Sequence, residues 1–194
     1  SQDQFILFGD NATASPIAMG FDNSANEFRI ARNANDNLNS NIHMRMFPTG
    51  EMLLPFQPAF LVTKSTTASN TSVSADHTVL FQTEVYDQNA DISSNTFTAP
   101  VTGKYMLTAA LRLDQVDTAA DYYLLGIIGS NRTFREIMNF DGSDRSYCSM
   151  QVSGLLDMDA NDTAIVRFNQ SGGTAQVDQD GNVEMSYFCG FLAC

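Results

Sequence analysis

Few of the side chains in this sequence could do chemistry together. There are two histidines, His43 and His77, too few and too far apart for a zinc cluster or a His-based triad. No serine sits in a Gly-x-Ser-x-Gly turn, and no glycine loop is spaced to cradle a phosphate. An enzyme is therefore not expected. The strongest metal candidates are acidic turns. Asp157-Met158-Asp159-Ala160-Asn161-Asp162 begins with the spacing of an EF-hand calcium loop. It then carries Asp162 where the sharp turn needs Gly, and Phe168 where the last ligand should be Glu. Asp178-Gln179-Asp180-Gly181-Asn182 is a second acidic run. Both read as turns, with Asp157, Asp159, Asp178 and Asp180 as weak candidates for a bound calcium. No other cofactor is expected.

Charge narrows the partners. The chain has 10 Lys and Arg against 22 Asp and Glu, a net charge of −12. Phosphate binding needs clustered cations, so nucleic acid is not an expected partner. Cys148, Cys189 and Cys194 are odd in number and too few for a disulfide framework, and they read as free thiols made in a reducing compartment. The opening SQDQFILFGD lacks the basic start and long apolar run of a secretory signal, and no stretch is apolar enough to span a membrane as a helix. Five Asn-x-Ser/Thr sequons, at Asn11, Asn70, Asn131, Asn161 and Asn169, carry little weight in so Asn-, Ser- and Thr-rich a chain.

The elements that must position these residues are strands. From Gly103 onward Tyr105, Leu107, Ala109, Leu111 and Leu113 alternate with Lys104, Met106, Thr108, Ala110 and Arg112. Period two over ten residues predicts a long strand with one face in a core. Phe97 shares the inward parity, Pro100 interrupts the ladder, and Gly103 allows a bend. Further strands are expected at 59–64, 78–86, 95–98, 121–128, 132–139, 146–157, 162–169 and 183–193. Two of these are apolar on both faces. In 121–128, Tyr123, Leu125 and Ile127 oppose Tyr122, Leu124 and Ile128; in 185–192, Met185, Tyr187, Cys189 and Phe191 oppose Phe188 and Leu192. A sandwich strand with one solvated face should keep that face polar, so these two strands need a second cover. Loops 65–77, 114–120, 139–145 and 170–182 are polar; loops on a rigid sandwich often carry recognition, but these lack aromatic anchors apart from Phe140 and Tyr147 and read as solvated loops.

Phe97-x-x-Pro100-x-x-Gly103-x-Tyr105 followed by an alternating strand resembles the central motif of the globular head of complement component 1q, whose fold is shared with the tumour necrosis factor superfamily. Four further stretches follow in the family's order: Pro58-Ala59-Phe60-Leu61-Val62; Asn131 in a turn; Val152-Ser153-Gly154 with Leu156 and Asn161-Asp162; and Phe188-Cys189-Gly190-Phe191-Leu192. Asn161 stands where the family has Gly, and Cys189 where it has Ser. The resemblance covers about residues 58–194. It implies an all-β jelly-roll sandwich assembled as a homotrimer. Its core would include Phe97, Tyr105, Leu107, Leu111 and Phe188. Tyr122, Leu124, Ile128, Tyr187 and Phe191 would lie in the trimer interface and cover the doubly apolar strands. Some relatives of the fold bind calcium.

Residues 1–57 read as a separate β-rich stem or attachment module. Short strand candidates, 5–8, 16–21, 27–31, 42–47 and 51–54, alternate with turn signals, and each is too short to bury a core alone. Asn33, Asn35, Asn37, Asn39 and Asn41 read as a solvated loop or, more sharply, as amides stacked between chains. The end of the module, Met44-Arg45-Met46-Phe47-Pro48-Thr49-Gly50-Glu51-Met52-Leu53-Leu54-Pro55, resembles Thr-Gly-x-Leu β-turn stretches of bacteriophage tail-fibre and structural proteins. Together these imply a bacteriophage virion structural protein made in the host cytoplasm: a fibre, head-decoration or tail-associated spike. Its stem would contact capsid or tail proteins, and its head would face outward toward a host-surface glycan or protein, with no membrane insertion. The alternative is a free lectin-like or pattern-recognition module of the complement component 1q type.

Overall fold

The structure, a computed structural model, describes residues 3–9, 16–32 and 38–194. It divides into two units, Ser1–Gln57 and Pro58–Cys194. Both are built of antiparallel strands, and no α-helix occurs among the described residues.

The N-terminal unit is one five-stranded meander: β1 (Gln4–Phe8), β2 (Ile17–Asp22), β3 (Glu27–Arg32), β4 (Ile42–Met46) and β5 (Met52–Leu53), paired in that order. Its turns follow from local chemistry. After β2 the Asp22 carboxylate accepts from the Ser24 amide (2.8 Å), the Ser24 hydroxyl (2.7 Å) and the Ala25 amide (3.0 Å). Between β4 and β5, Gly50 takes φ 102°, which a side chain would oppose, and donates its N–H to the Phe47 carbonyl. One side of the sheet buries Ala18, Ala31 and Leu38, with Phe5 and Leu7 packed on them.

That same side holds a charge network that no local sequence pattern announces. Arg29 is buried against the Asp22 carboxylate and 3.0 Å from Glu27, and Arg45 reaches Glu27 at 2.5 Å. Register makes the cluster: Asp22 pairs with Glu27 across β2–β3, and Arg29 with Arg45 across β3–β4. The Asn39 side chain accepts a further Arg29 bond at 2.7 Å, so this amide joins the network; Asn33, Asn35 and Asn37 lie outside the described residues. Hydrogen bonds from Arg45, then from Arg29, hold Glu27 below its ordinary 4.5. The Ser24 bond, ahead of the Ala25 amide and the Arg29 charge, holds Asp22 below 3.8. A carboxylate depressed on folding stabilises above its unfolded value and loses that stabilisation as pH falls through the folded one. Exchange protection of the β3 amides, corrected for intrinsic rates, should therefore be full at neutral pH and fall below about pH 4. Glu27→Gln should lower protection at neutral pH and flatten that acid limb. An unchanged profile would remove the network from the unit's stability.

The C-terminal unit is a two-sheet sandwich. One sheet runs β14 (Arg145–Met158), β11 (Gly103–Val116), β17 (Tyr187–Leu192), β6 (Ala59–Thr63), β8 (Thr83–Asp87), with β16 (Asp178–Gln179) also on β11. The other runs β13 (Thr133–Met138), β12 (Ala120–Gly129), β15 (Thr163–Gly172), β10 (Thr96–Thr98), β9 (Ile92–Ser93), with β7 (His77–Thr78) also on β15. Strands successive in sequence switch sheets repeatedly, which is the connectivity of a jelly roll. The alternating residues of β11 point inward as their period demands: Tyr105, Leu107, Ala109, Leu111 and Leu113 are all buried.

The motif residues form the joint between the sheets. Phe97 stacks on Phe60 at 4.8 Å, Phe60 meets Phe188 edge-on at 5.0 Å, and Tyr105 lies 5.3 Å from Phe97. The Tyr105 hydroxyl donates to the Val101 carbonyl at 2.7 Å, pinning the turn that Pro100 opens. Glycine is required at Gly190, where a Cβ would collide with Leu107 Cδ2 and the Phe60 ring.

Several expected boundaries move. The strand expected at 78–86 is two short pieces, β7 and β8. The last strand starts at Tyr187; Met185 lies before it in a turn, its N–H donating to the Asn182 carbonyl. Asp178-Gln179 is a short buried strand on β11 and not an open turn.

Candidate functional site

The two doubly apolar strands do not share a sheet. β12 is in one and β17 in the other. Tyr187 and Phe191 therefore lie on the outward face of one sheet, and Tyr122, Leu124 and Ile128 on the outward face of the opposite one. Their inward neighbours Tyr123, Leu125, Ile127 and Phe188 are buried between the sheets. The five residues expected in the trimer interface thus lie on two opposite faces, three on one and two on the other.

The face carrying Phe191 can be read row by row, because residues paired across antiparallel strands project to the same side. One row is Leu155, Met106, Phe191, Ala59. The next is Ser153, Thr108, Cys189, Leu61, Tyr86. The third is Gln151, Ala110, Tyr187, Thr63, Thr83. None of these residues is charged. Leu155 (47%), Phe191 (51%) and Tyr86 (50%) are strongly exposed in the single chain. Charges begin only beyond the rows: Lys104 opposite Asp157 at one end, Arg112 with Asp114 (2.8 Å) at the other. An uncharged, apolar-rich strip spanning five strands is unusual for a surface that faces water.

The N-terminal unit repeats the pattern on its uncored face. Ile6, Met19, Ile30 and Met44 form one row, and Phe21, Phe28, Met46 and Met52 another. Ile6, Phe21, Met46 and Met52 are exposed.

Three of the four acidic candidates, Asp157, Asp178 and Asp180, have carboxylates engaged by protein partners. Asp157 accepts two bonds from Arg132, at 2.6 and 3.1 Å, and those bonds hold its pKa down. Asp178 is buried, taking the Asn70 amide at 2.7 Å and the Gln115 side chain at 2.9 Å. Asp180 pairs with Arg112 at 3.4 Å. Asp159 sits in the turn closed by Asp162, whose carboxylate accepts the Asp159 amide at 2.8 Å, with Asn161 at φ 75°. Among the described residues no group of three or more His, Cys, Asp or Glu is placed to hold a metal ion. This corrects Asp178 as an accessible ligand. The three thiols are free; burial pushes Cys148 up to about 11 and Cys189 upward, while Cys194 is exposed. Among the described residues no helix is long and apolar enough to cross a membrane.

No protein-family model matches the chain, and no curated protein matches it by sequence. Solved structures do match by shape. The globular domain of zebrafish complement 1qA protein superposes with a TM-score of 0.53 at 16% identity, covering 71% of this chain and 98% of that one. Murine APRIL, crystallised at pH 5.0, gives 0.50 at 14% identity, covering 70% and 98%. At these identities the likeness concerns the fold, and the fold of the chain is accordingly an all-β jelly-roll sandwich of the complement 1q and tumour necrosis factor kind.

Proposed function

We propose that this protein is a homotrimeric binding module without enzymatic activity, part of a bacteriophage virion, with its jelly-roll unit turned outward and its N-terminal unit as the attachment end. The observation that carries the assembly is the uncharged face across β14, β11, β17, β6 and β8. Left in water, its Leu155, Met106, Phe191, Leu61 and Tyr86 side chains forgo roughly 25 cal/mol for each Å² that a neighbouring copy would cover. Tyr187 and Phe191 are its central interface residues. The opposite outward face bears Arg135, Arg167 and Asp76, whose burial would require taking charge out of water. The placement on a virion rests on the fibre-like stretch at residues 44–55 and is supported by the uncovered apolar face of the N-terminal sheet, which suits a partner protein or a copy of itself.

Sedimentation of the full chain should give a single species of three times 21.2 kDa, about 64 kDa. A stable monomer at micromolar concentration would sink the assembly. Antibodies against residues 58–194 should label the outside of purified particles from a producing culture. Antigen found only in the particle-free fraction would favour the free lectin-like or pattern-recognition module instead.

A further inference from the structure

The outward face of the β13–β12–β15 sheet contains a cleft built unlike the rest of this acidic surface. Its floor is Gly126. Register places Arg135 of β13 directly on one side of Gly126 and Arg167 of β15 directly on the other. Strands lie about 4.8 Å apart, so the two arginine backbones are about 10 Å apart, with their side chains on the same face and no side chain on the residue between them. Tyr122 and Leu124 continue the floor, and the cleft measures about 160 Å³. At roughly 30 Å³ per water that is room for about five waters, enough for one end of a sugar ring and its substituent.

The electrostatics of the cleft are asymmetric. Arg167 is shared with Asp76, at 3.4 Å, and Asp76 also accepts from the Asn169 side chain at 3.2 Å. Arg135 has no carboxylate partner among the described residues. The cleft therefore carries a net positive charge on a chain of net charge −12. A guanidinium fork matches a planar or tetrahedral oxyanion with paired hydrogen bonds. Asp76 and Asn169 add the acceptor and donor that hydroxyl groups need, and the apolar edges of Tyr122 and Leu124 suit the C–H face of a sugar ring. The glycine floor is part of the device. A Cβ at position 126 would stand 3.1 Å from the Arg135 Cγ and 3.2 Å from the Ile128 Cδ1, so a branched side chain there would crowd the arginine and take up the floor.

We propose that the Arg135–Gly126–Arg167 cleft binds an acidic sugar, with Arg135 taking its oxyanion. The proposal is independent of how the chain assembles, since neither arginine lies on the uncharged face. The test is titration of the 194-residue chain with sodium glucuronate, glucose 6-sulfate, glucose and inorganic sulfate, followed by calorimetry and by the amide signals of Tyr122 and Gly126. One or both acidic sugars should bind, and their relative affinity ranks carboxylate against sulfate as the preferred oxyanion. Glucose should bind at least tenfold more weakly, as should inorganic sulfate. Arg135→Gln should weaken the sugar at least tenfold while leaving the sedimentation coefficient unchanged; Gly126→Val should do the same to binding. The proposal is overturned if neither acidic sugar binds up to about 50 mM, well past the millimolar range expected of a single forked contact. It is equally overturned if Arg135→Gln binds as the parent does, or if inorganic sulfate or glucose matches the acidic sugars.

Discussion

With Phe191 replaced by Asp, the chain is expected to sediment as a monomer near 21.2 kDa, where the proposed trimer of the parent would sediment at three times that mass. Phe191 is half exposed in the single chain and stands between Met106 and Ala59 in the middle of the uncharged face. An aspartate there would be buried in each contact against Leu155, Met106 and their copies, with no cation in the three rows to pair with it. Breaking the charge balance of a buried site costs about 3–5 kcal/mol, roughly a hundred- to several-thousand-fold in the dissociation constant. The fold itself should survive, because the side chain points away from the sandwich core. Leu124→Asp is the informative partner variant. It sits on the opposite outward face beside the arginine cleft, and the trimer should tolerate it. Dissociation by Leu124→Asp with Phe191→Asp still trimeric would move the interface to the other sheet and refute the assignment made here.

Phe188→Ala should produce the largest loss of stability in the molecule. Phe188 is fully buried, 5.0 Å from the Phe60 ring and 6.1 Å from Phe81, on the strand that joins β11 to β6. Large-to-small changes of a buried aromatic cost about 3–5 kcal/mol, through the lost transfer energy and the cavity left behind. The site cannot collapse easily. Its strand neighbours Ala109 and Val62 are fixed by the sheet pairing, and the stacked Phe60–Phe97 pair forms its wall. For a domain of this size the loss corresponds to a fall of roughly 10–20 °C in Tm. Tyrosine fluorescence is a selective probe, because all six tyrosines lie in the C-terminal unit. A fall of only a few degrees would show that the aromatic cluster is not the joint between the sheets.

The sequence by itself determined which residues face inward along each long strand. Side-chain direction has a period of two in a strand, and the burial of Tyr105, Leu107, Ala109, Leu111 and Leu113 follows from that alone. The motif from Phe97 to Tyr105 also carried its own explanation, since proline, glycine and tyrosine each act locally on the turn they build. Sheet membership was decided by tertiary structure. β12 and β17 have the same two-sided apolar pattern, yet one pairs with β13 and β15 and the other with β11 and β6. Nothing within either strand encodes a partner tens of residues away, so the sequence does not say that their outward residues lie on opposite faces. The acidic runs changed meaning for the same reason. Asp157 and Asp178 are weak calcium candidates in turns by sequence; folding brings Arg132 to one and the Asn70 amide and Gln115 to the other. The arginine cleft was invisible for a related cause: Arg135, Gly126 and Arg167 are unremarkable in their own segments. Only cross-strand register, set by the pairing of three strands, places two cations on either side of a residue with no side chain.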